Sequence, residues 1–155
     1  MAYTHYWYRK SREFDRKTFT EAVADFTKLL PVFREKKIVL LDLTADGELV
    51  RFDGECETFY MARESDARLS STGWFFEFCK TSRGAYDLAV TAALIVFKHH
   101  FGDDIRISSD GEIGEEWDPA IALTSSILGY KERWEFAETK LGGKTMRCLA
   151  AKEAA

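Results

Sequence analysis

Aromatic and basic side chains alternate over residues 3–10, and this alternation constrains the fold more than any other feature of the chain. The Tyr and Trp content of the segment favours a β-strand. A strand sends successive side chains to opposite faces, so one face packs against helices while the other can meet solvent or a ligand. The sequence leaves open which face is which. The two faces carry Tyr6 and Tyr8 on one side, and His5, Trp7 and Arg9 on the other.

The composition predicts a single domain over residues 1–150, followed by a frayed tail at 151–155. With 155 residues, of which 46% are hydrophobic, the chain is long enough to bury a core and too apolar to be disordered. Its 3 cysteines lack CxxC spacing, which indicates neither disulfides nor zinc and favours reduced thiols in the cytoplasm. We expect no signal peptide, and the longest apolar run is too short to span a membrane.

Charge is spread unevenly along the chain. A net charge of −4 argues against binding duplex nucleic acid, which needs many exposed cations. Basic side chains nevertheless dominate residues 1–17, and acidic ones dominate residues 103–118. Such asymmetry predicts attraction within the molecule or two surfaces with different partners. Two solvated faces without a partner explain it equally well.

Hydrophobic periodicity predicts the element order strand, helix, three or four strands, helix, strand, helix. Strands are predicted at 3–10, 38–43, 49–52, 58–62, 74–80 and 105–108, and helices from about 18 to 30, 86 to 100 and 118 to 129. This order indicates an α+β fold: a mostly antiparallel sheet of five or six strands packed against two or three helices.

Several details of these elements are also predicted. The strand at 74–80 has apolar residues on both faces, so we expect it to be central. Pro31 should end or kink the first helix near Leu30, and Asp118 should cap the third helix. Residues 64–72 are predicted to be a mobile loop, whereas the segment 130–149 is ambiguous.

Two short segments have the composition of anion sites. Residues 80–84 place two cations, two hydroxyls and a glycine before a predicted helix N-terminus, where anions bind. Residues 108–111 end a predicted strand with hydroxyls, a carboxylate and a glycine, which suit phosphate or ribose. An ordinary surface loop and an ordinary turn are the alternatives.

These features predict a ligand site without catalytic residues, metal ligands or a cofactor. Aromatic rings would stack on a base, cations would meet phosphate, and a hydroxyl and a carboxylate would hold sugar hydroxyls. The predicted ligand-binding residues are His5, Trp7, Arg9, Trp74, Lys80, Arg83, Ser109 and Asp110.

Four segments resemble a group of small proteins from tailed phages and bacteria whose activity is not established: Thr4 to Trp7, Phe78 to Thr81, Tyr86 to Asp87 and Ser108 to Gly111. The resemblance covers most of the chain. It implies a context in which small phage proteins often act by binding, as counter-defence or host-takeover factors in the host cytosol. It assigns no role to any residue.

Three functions remain open at this point. The first is a non-enzymatic binder of an anionic, nucleotide-like small molecule, such as a sponge for an immune signal. The second is an interaction module that occupies a host protein through the acidic stretch 103–118 or exposed aromatics. The third is a metal-dependent hydrolase that uses His99, Asp103 or Asp110. Surplus aromatic residues also predict a homo-oligomer, since aromatics concentrate in interfaces.

Overall fold

A computed structural model describes residues 2–139 and 143–149, and within these residues it has three α-helices and eight strands. The strands are β1 (Thr4–Arg9), β2 (Leu41–Ala45), β3 (Leu49–Asp53), β4 (Phe59–Ala62), β5 (Phe75–Lys80), β6 (Ile105–Ser109), β7 (Arg133–Glu138) and β8 (Lys144–Leu149). The helices are α1 (Arg16–Glu35), α2 (Asp87–Phe101) and α3 (Asp118–Leu128). The predicted tail at 151–155 lies outside the described residues.

All strand pairs among the named elements are antiparallel, and the α+β prediction is confirmed. The strands are divided among three small sheets instead of forming one. The first sheet has the order β5-β1-β6, the second has the order β2-β3-β4, and β7 and β8 form a hairpin.

Helix α2 occupies the centre of the molecule. Every residue from Ala89 to Lys98 is buried. A helix that is apolar on all sides must be covered on all sides, and α2 contacts α1, α3 and strand β6. The buried ammonium of Lys98 donates to the carbonyl oxygens of Gly102 and Ile105, which lets this cation lie beneath the surface.

Strand β1, and not β5, is the central strand of the first sheet. β1 pairs with β5 along one edge and with β6 along the other. The apolar residues on both faces of β5 therefore do not reflect a central position in the sheet. Its inner face meets the core through Cys79, whereas Phe76 and Phe78 lie on the outer face, where Phe78 is 54% exposed.

Helix α1 continues past the proline that was expected to end it. Pro31 lies inside the helix, and the N-cap is Asp15, whose carboxylate accepts the Thr18 amide at 2.9 Å. The helix loses one backbone hydrogen bond at Pro31. Ending there would expose Phe33, which is buried and whose ring centroid lies 6.2 Å from that of Phe26. Core packing therefore outweighs the local signal.

The start of α3 also differs from the prediction. Trp117 holds the N-cap position, and the Asp118 carboxylate turns back to accept the Gly114 amide at 2.8 Å. The predicted end is confirmed, because Gly129 follows the helix with a φ of 74°, a left-handed conformation that favours glycine.

The ambiguous C-terminal segment forms the β7–β8 hairpin. Its inner side buries Trp134 and Met146, and the ring of Phe136 meets Trp117 edge-on at 5.7 Å. Strand β8 lies close to β6, so the hairpin stands beside one edge of the first sheet. Among the described residues, no helix is long and apolar enough to cross a membrane.

The segment predicted as a mobile loop, 64–72, is tied to the rest of the chain at several points. The amide of Ser65 donates to the carbonyl of Arg12 at 2.8 Å, and Leu69 forms a bridge with Phe75. Its mobility stays a prediction.

Substituting Asp25→Asn should destabilise the protein near neutral pH. Burial raises the pKa of Asp25, but hydrogen bonds from Tyr130 and His100 outweigh that effect and leave the pKa below its usual value. A carboxyl whose pKa is lower in the folded state stabilises the fold above its unfolded pKa, and that stabilisation is lost as the pH falls through the folded pKa. The variant should lose about 1–3 kcal/mol at pH 7.

Urea unfolding across a pH series measures this effect. The difference between wild type and Asp25→Asn should shrink as the pH falls below about 4 and through the lowered pKa at which the folded wild-type carboxyl is protonated. Glu21→Gln, an exposed carboxyl on the same helix, is the control and should change stability by less than about 0.5 kcal/mol. A difference that does not depend on pH would contradict the assignment.

Candidate functional site

The inner face of β1 is closed to a ligand. Trp7 is 1% exposed, its indole N–H donates to Glu77 Oε1 at 2.7 Å, and its ring centroid lies 5.5 Å from that of Phe59 in the second sheet. The ring joins the first sheet to the second. It has no open face on which a base can stack, so the structure does not support the predicted role of Trp7.

Arg9 is also an interior residue. Its guanidinium donates to the carbonyl oxygens of Ala62 and Arg63, lies 3.8 Å from the Glu77 carboxylate and covers the Phe14 ring at 3.7 Å. Burial lowers the pKa of Arg9 to about 10. This side chain ties β1 to the end of β4, and it is too deep to meet a phosphate.

His5 lies at the centre of a buried polar network at one end of the first sheet. Its Nδ1 is 2.8 Å from Ser109 Oγ, and its Nε2 is 2.7 Å from Asp87 Oδ1. Ser109 Oγ also accepts the Gly111 amide at 2.8 Å and the Trp117 indole N–H at 3.0 Å.

The number of hydrogen bonds fixes their direction. A hydroxyl oxygen has two acceptor positions, and Gly111 and Trp117 fill both of them at Ser109. The Ser109 hydroxyl must therefore donate to His5 Nδ1. His5 is then the Nε2–H tautomer, which donates to the carboxylate of Asp87. Thr81 donates to the same carboxylate oxygen.

The chain Ser109–His5–Asp87 contains the residue types of a nucleophilic triad, but its geometry is structural. Serine contacts Nδ1 and the carboxylate contacts Nε2, the reverse of the arrangement in serine hydrolases. Both acceptor positions of the serine oxygen are filled, so no lone pair faces a substrate. His5 is fully buried. The arrangement holds the sheet end together and offers no nucleophile.

Cys79 lies opposite His5 in the register of β5 and β1, but its thiol is not activated by the imidazole. Both ring nitrogens of His5 are bound elsewhere, and Cys79 Sγ lies 3.5 Å from the carbonyl of Glu57. Burial raises the pKa of the Cys79 thiol to about 12, so the thiolate does not form at neutral pH.

The four segments that carry the resemblance meet around this network. Thr4 accepts the Asp110 amide through its carbonyl and donates its own amide to the Asp110 carboxylate at 3.0 Å. The Thr81 amide donates to the carbonyl of Tyr3, which continues the pairing at the same sheet end. These segments therefore have a shared structural role, whatever function accompanies it.

Groups in and beside the loop at 80–84 already have anionic partners within the protein, and its anion site stays a prediction. The carboxylate of Glu55 already accepts the Tyr86 amide at the start of α2, at 3.1 Å. Arg83 turns away from the helix, pairs with Glu116 at 3.2 Å and covers the Tyr3 ring at 4.1 Å. The helix N-terminus is thus capped by an anionic side chain of the protein itself.

The outer face of the first sheet carries a row of aromatic rings, and we call this surface the aromatic face. Cross-strand pairing places Tyr6 opposite Phe78 and Tyr8 opposite Phe76. Phe76 lies parallel to Tyr6 at 6.2 Å and contacts Tyr8 at 4.9 Å. Lys80 continues the same row of β5, two residues beyond Phe78.

A groove runs along the aromatic face, between β6 and the β7–β8 hairpin. It has two cavities of about 570 and 640 Å³, whose linings share Ser108, Thr139, Gly143 and Lys144. The smaller cavity adds Tyr6, Ser109, Asp110 and Glu138. The larger one adds Tyr8, Thr72, Trp74, Arg106, Ile107 and Thr145.

Two cations line the groove. The guanidinium carbon of Arg106, an exposed side chain, lies 4.0 Å from the centre of the Trp74 ring. The ammonium of Lys144 donates to the Gly111 carbonyl and to the Glu112 carboxylate. The same ammonium lies 4.8 Å from the centre of the Phe136 ring, and the side chain is 20% exposed.

The structure thus separates the predicted site residues into three groups. Trp74, Ser109 and Asp110 line the groove. Lys80 and Arg83 lie outside it, and His5, Trp7 and Arg9 are buried in the interior.

The three residues of the hydrolase hypothesis, His99, Asp103 and Asp110, are not gathered at one site. His99 stacks on Tyr130 at 3.7 Å, and His100 pairs with Asp25. Asp103 and Asp110 flank opposite ends of β6. Among residues 2–139 and 143–149, no cluster of three or more His, Cys, Asp or Glu side chains is placed to hold a metal ion.

Carboxylates of the acidic stretch are engaged within the molecule. Glu112 pairs with Lys144, Glu116 pairs with Arg83, and Asp118 accepts the Gly114 amide. Their partners Lys144, Arg83 and Gly114 lie outside the basic segment 1–17, so these contacts do not pair the acidic stretch with that segment.

Sequence reasoning missed Arg106 and Lys144, and it named Ser108 only as part of the segment 108–111. Alternation in β6 was available as a signal, because Ile105 and Ile107 are buried and the residues between them must face outward. Lys144 reaches the groove only because the hairpin stands beside β6, and no local pattern indicates that docking.

Substituting Ser109→Ala should destabilise the protein by about 2–4 kcal/mol, because it leaves buried donors of Gly111 and Trp117 and the acceptor of His5 unpaired. Ser108→Ala is the matched control. Ser108 is the preceding residue on the outer face, and its loss should change stability by less than about 0.5 kcal/mol. Chemical denaturation measures both variants, and equal losses would refute the network.

Comparison of the chain with protein-family models, with curated proteins and with solved structures finds no significant match. The functional argument therefore depends on the geometry of the aromatic face and its groove.

Proposed function

We propose that this protein is a non-enzymatic binder of an anionic, nucleotide-like small molecule, held in the groove along the aromatic face. The observation that carries the proposal is the combination of outward tyrosines with a guanidinium that is already oriented over an indole. Trp74 and Arg106 form that pair at 4.0 Å, and Tyr8 lies in the same cavity.

Stacking supplies the first part of the affinity. Tyr6 and Tyr8 are half-buried, so their rings are held by neighbours and still present a surface to the groove. A base that stacks on a fixed aromatic ring contributes about 1–3 kcal/mol, and every base has a π-face. Rings that are already ordered lose little entropy on binding.

Charge supplies the second part. Arg106 brings positive charge to a groove that also contains the hydroxyls of Ser108 and Thr145, whereas the charge of Lys144 is paired with Glu112. A guanidinium matches the geometry of phosphate oxygens and can bind two of them at once. The net charge of −4 disfavours long nucleic acids, and the positive charge offered to a ligand is local to Arg106.

The alternative, an interaction module that uses the acidic stretch, has less support. Its carboxylates Glu112 and Glu116 already pair with Lys144 and Arg83. In the context of the phage resemblance, a binder would act by sequestering its ligand. The homo-oligomer and the cytoplasmic location stay predictions.

Isothermal titration calorimetry against nucleoside mono-, di- and triphosphates tests the proposal. At least one should bind with a dissociation constant below about 1 mM. Affinity should fall with added salt, because the phosphate contacts are exposed to solvent. Uniform absence of heat across the panel would overturn the proposal.

Substituting Tyr8→Ala should weaken binding by about 5- to 150-fold, the equivalent of one stacked base. Arg106→Gln should weaken it and flatten its salt dependence, because the charge is lost while length and polarity are largely kept. Tyr60→Ala is the control, an exposed tyrosine (44%) on the second sheet, and its affinity should equal that of wild type. An equal loss in the control would point to a general effect of removing a surface ring.

A further inference from the structure

We infer that the ligand of the groove contains two nucleotide units, one in each cavity, joined by a phosphate at the residues that the cavities share. This inference rests on the proposed function and specifies its ligand class. It derives from three properties of the groove. The groove has two positions for a stacked base, each with its own aromatic ring, which we call stations. A polar centre lies between the stations, and the chemistry of the two ends differs.

The two stations lie on one strand. Tyr6 lines the smaller cavity and Tyr8 lines the larger. They are two residues apart on the same face, which separates them by about 7 Å along the strand. Each cavity has its own ring, and each is large enough for a small-molecule ligand, since such pockets measure about 300–1,000 Å³.

The centre of the groove suits a linking phosphate. Ser108, Thr139, Gly143 and Lys144 line both cavities. They provide hydroxyl groups, a backbone without a side chain and one ammonium. Gly143 has a φ of 78°, so this part of the hairpin takes a left-handed conformation that favours glycine. Hydroxyl and ammonium donors are the groups that bind phosphate oxygens.

The two ends differ in chemistry. The station of Tyr8 contains Trp74 and Arg106, which suit a stacked base and a terminal phosphate. The station of Tyr6 contains the carboxylates of Asp110 and Glu138. A carboxylate accepts hydrogen bonds and repels phosphate, so this end should receive a base edge that carries N–H donors.

Asp110 keeps acceptor capacity for such a base. One of its oxygens accepts the Thr4 amide at 3.0 Å, and the other lies 3.4 Å from the Tyr6 hydroxyl, a long hydrogen bond. Glu138 is exposed, at the end of β7 beside the groove. Guanine presents an imino and an amino N–H on one edge, whereas adenine presents a single amino group there. The station of Tyr6 therefore favours guanine.

Calorimetry with three probes tests this inference: GMP, and the linear dinucleotides pGpG and pApA. Joining two units that each occupy a station should raise affinity by about 100-fold or more, because the second unit binds at high effective concentration. We expect pGpG to bind at least about 100-fold tighter than GMP, and also tighter than pApA.

Variants separate the stations. Tyr6→Ala and Tyr8→Ala should each bring pGpG affinity close to that of GMP, because each removes one station. Asp110→Asn with Glu138→Gln should abolish the preference for pGpG over pApA. Tyr60→Ala is again the control and should retain every affinity, and thermal unfolding verifies that each variant is folded.

The outcomes are distinguishable. Equal affinity for GMP and pGpG would overturn the two-unit ligand and leave the proposed function standing. Equal affinity for pApA and pGpG would overturn the guanine assignment. If none of the three probes and no nucleotide of the wider panel gives heat, the inference and the proposed function are both overturned.

Discussion

The double pairing of β1 is the constraint on which the rest of the structure depends. Because β5 and β6 bond to its two edges, β1 cannot rotate, and each of its side chains is committed to one face. The inner face then has to bury His5, Trp7 and Arg9, three side chains with polar tips. Buried polar groups need hydrogen-bond partners. The imidazole, the indole N–H and the guanidinium of these residues each have at least one such partner on another element.

These partners explain how separate parts of the chain are joined. His5 links β1 to α2 and to the end of β6 through Asp87 and Ser109. Arg9 links β1 to the end of β4 through carbonyl oxygens. Burial of charge is costly unless it is compensated, and the interior position of Arg9 depends on those acceptors. The polar tips therefore specify the packing of the sheet, while the apolar area around them supplies the driving force.

The same commitment leaves the tyrosines of β1 outside. The inner side meets the core, so Tyr6 and Tyr8 are covered only in part, by Phe76 and where the β7–β8 hairpin approaches β6. A groove with aromatic rings, two cations and several hydroxyls results. Glu112 pairs with Lys144 and offsets its charge, so Arg106 carries most of the positive charge that a ligand would meet.

The sequence by itself determined the element order, the α+β class and the division of β1 into two faces, since these depend on periodicities of two and 3.6 residues. Only the tertiary structure decided which face is buried, because either set of side chains has the hydrophobic area to form a core. It also decided that α1 passes through Pro31, where packing of Phe33 outweighs one lost hydrogen bond. The groove depends on where the C-terminal hairpin docks, and this long-range contact has no local signal. Most of the residues that line the groove therefore could not be predicted from the sequence.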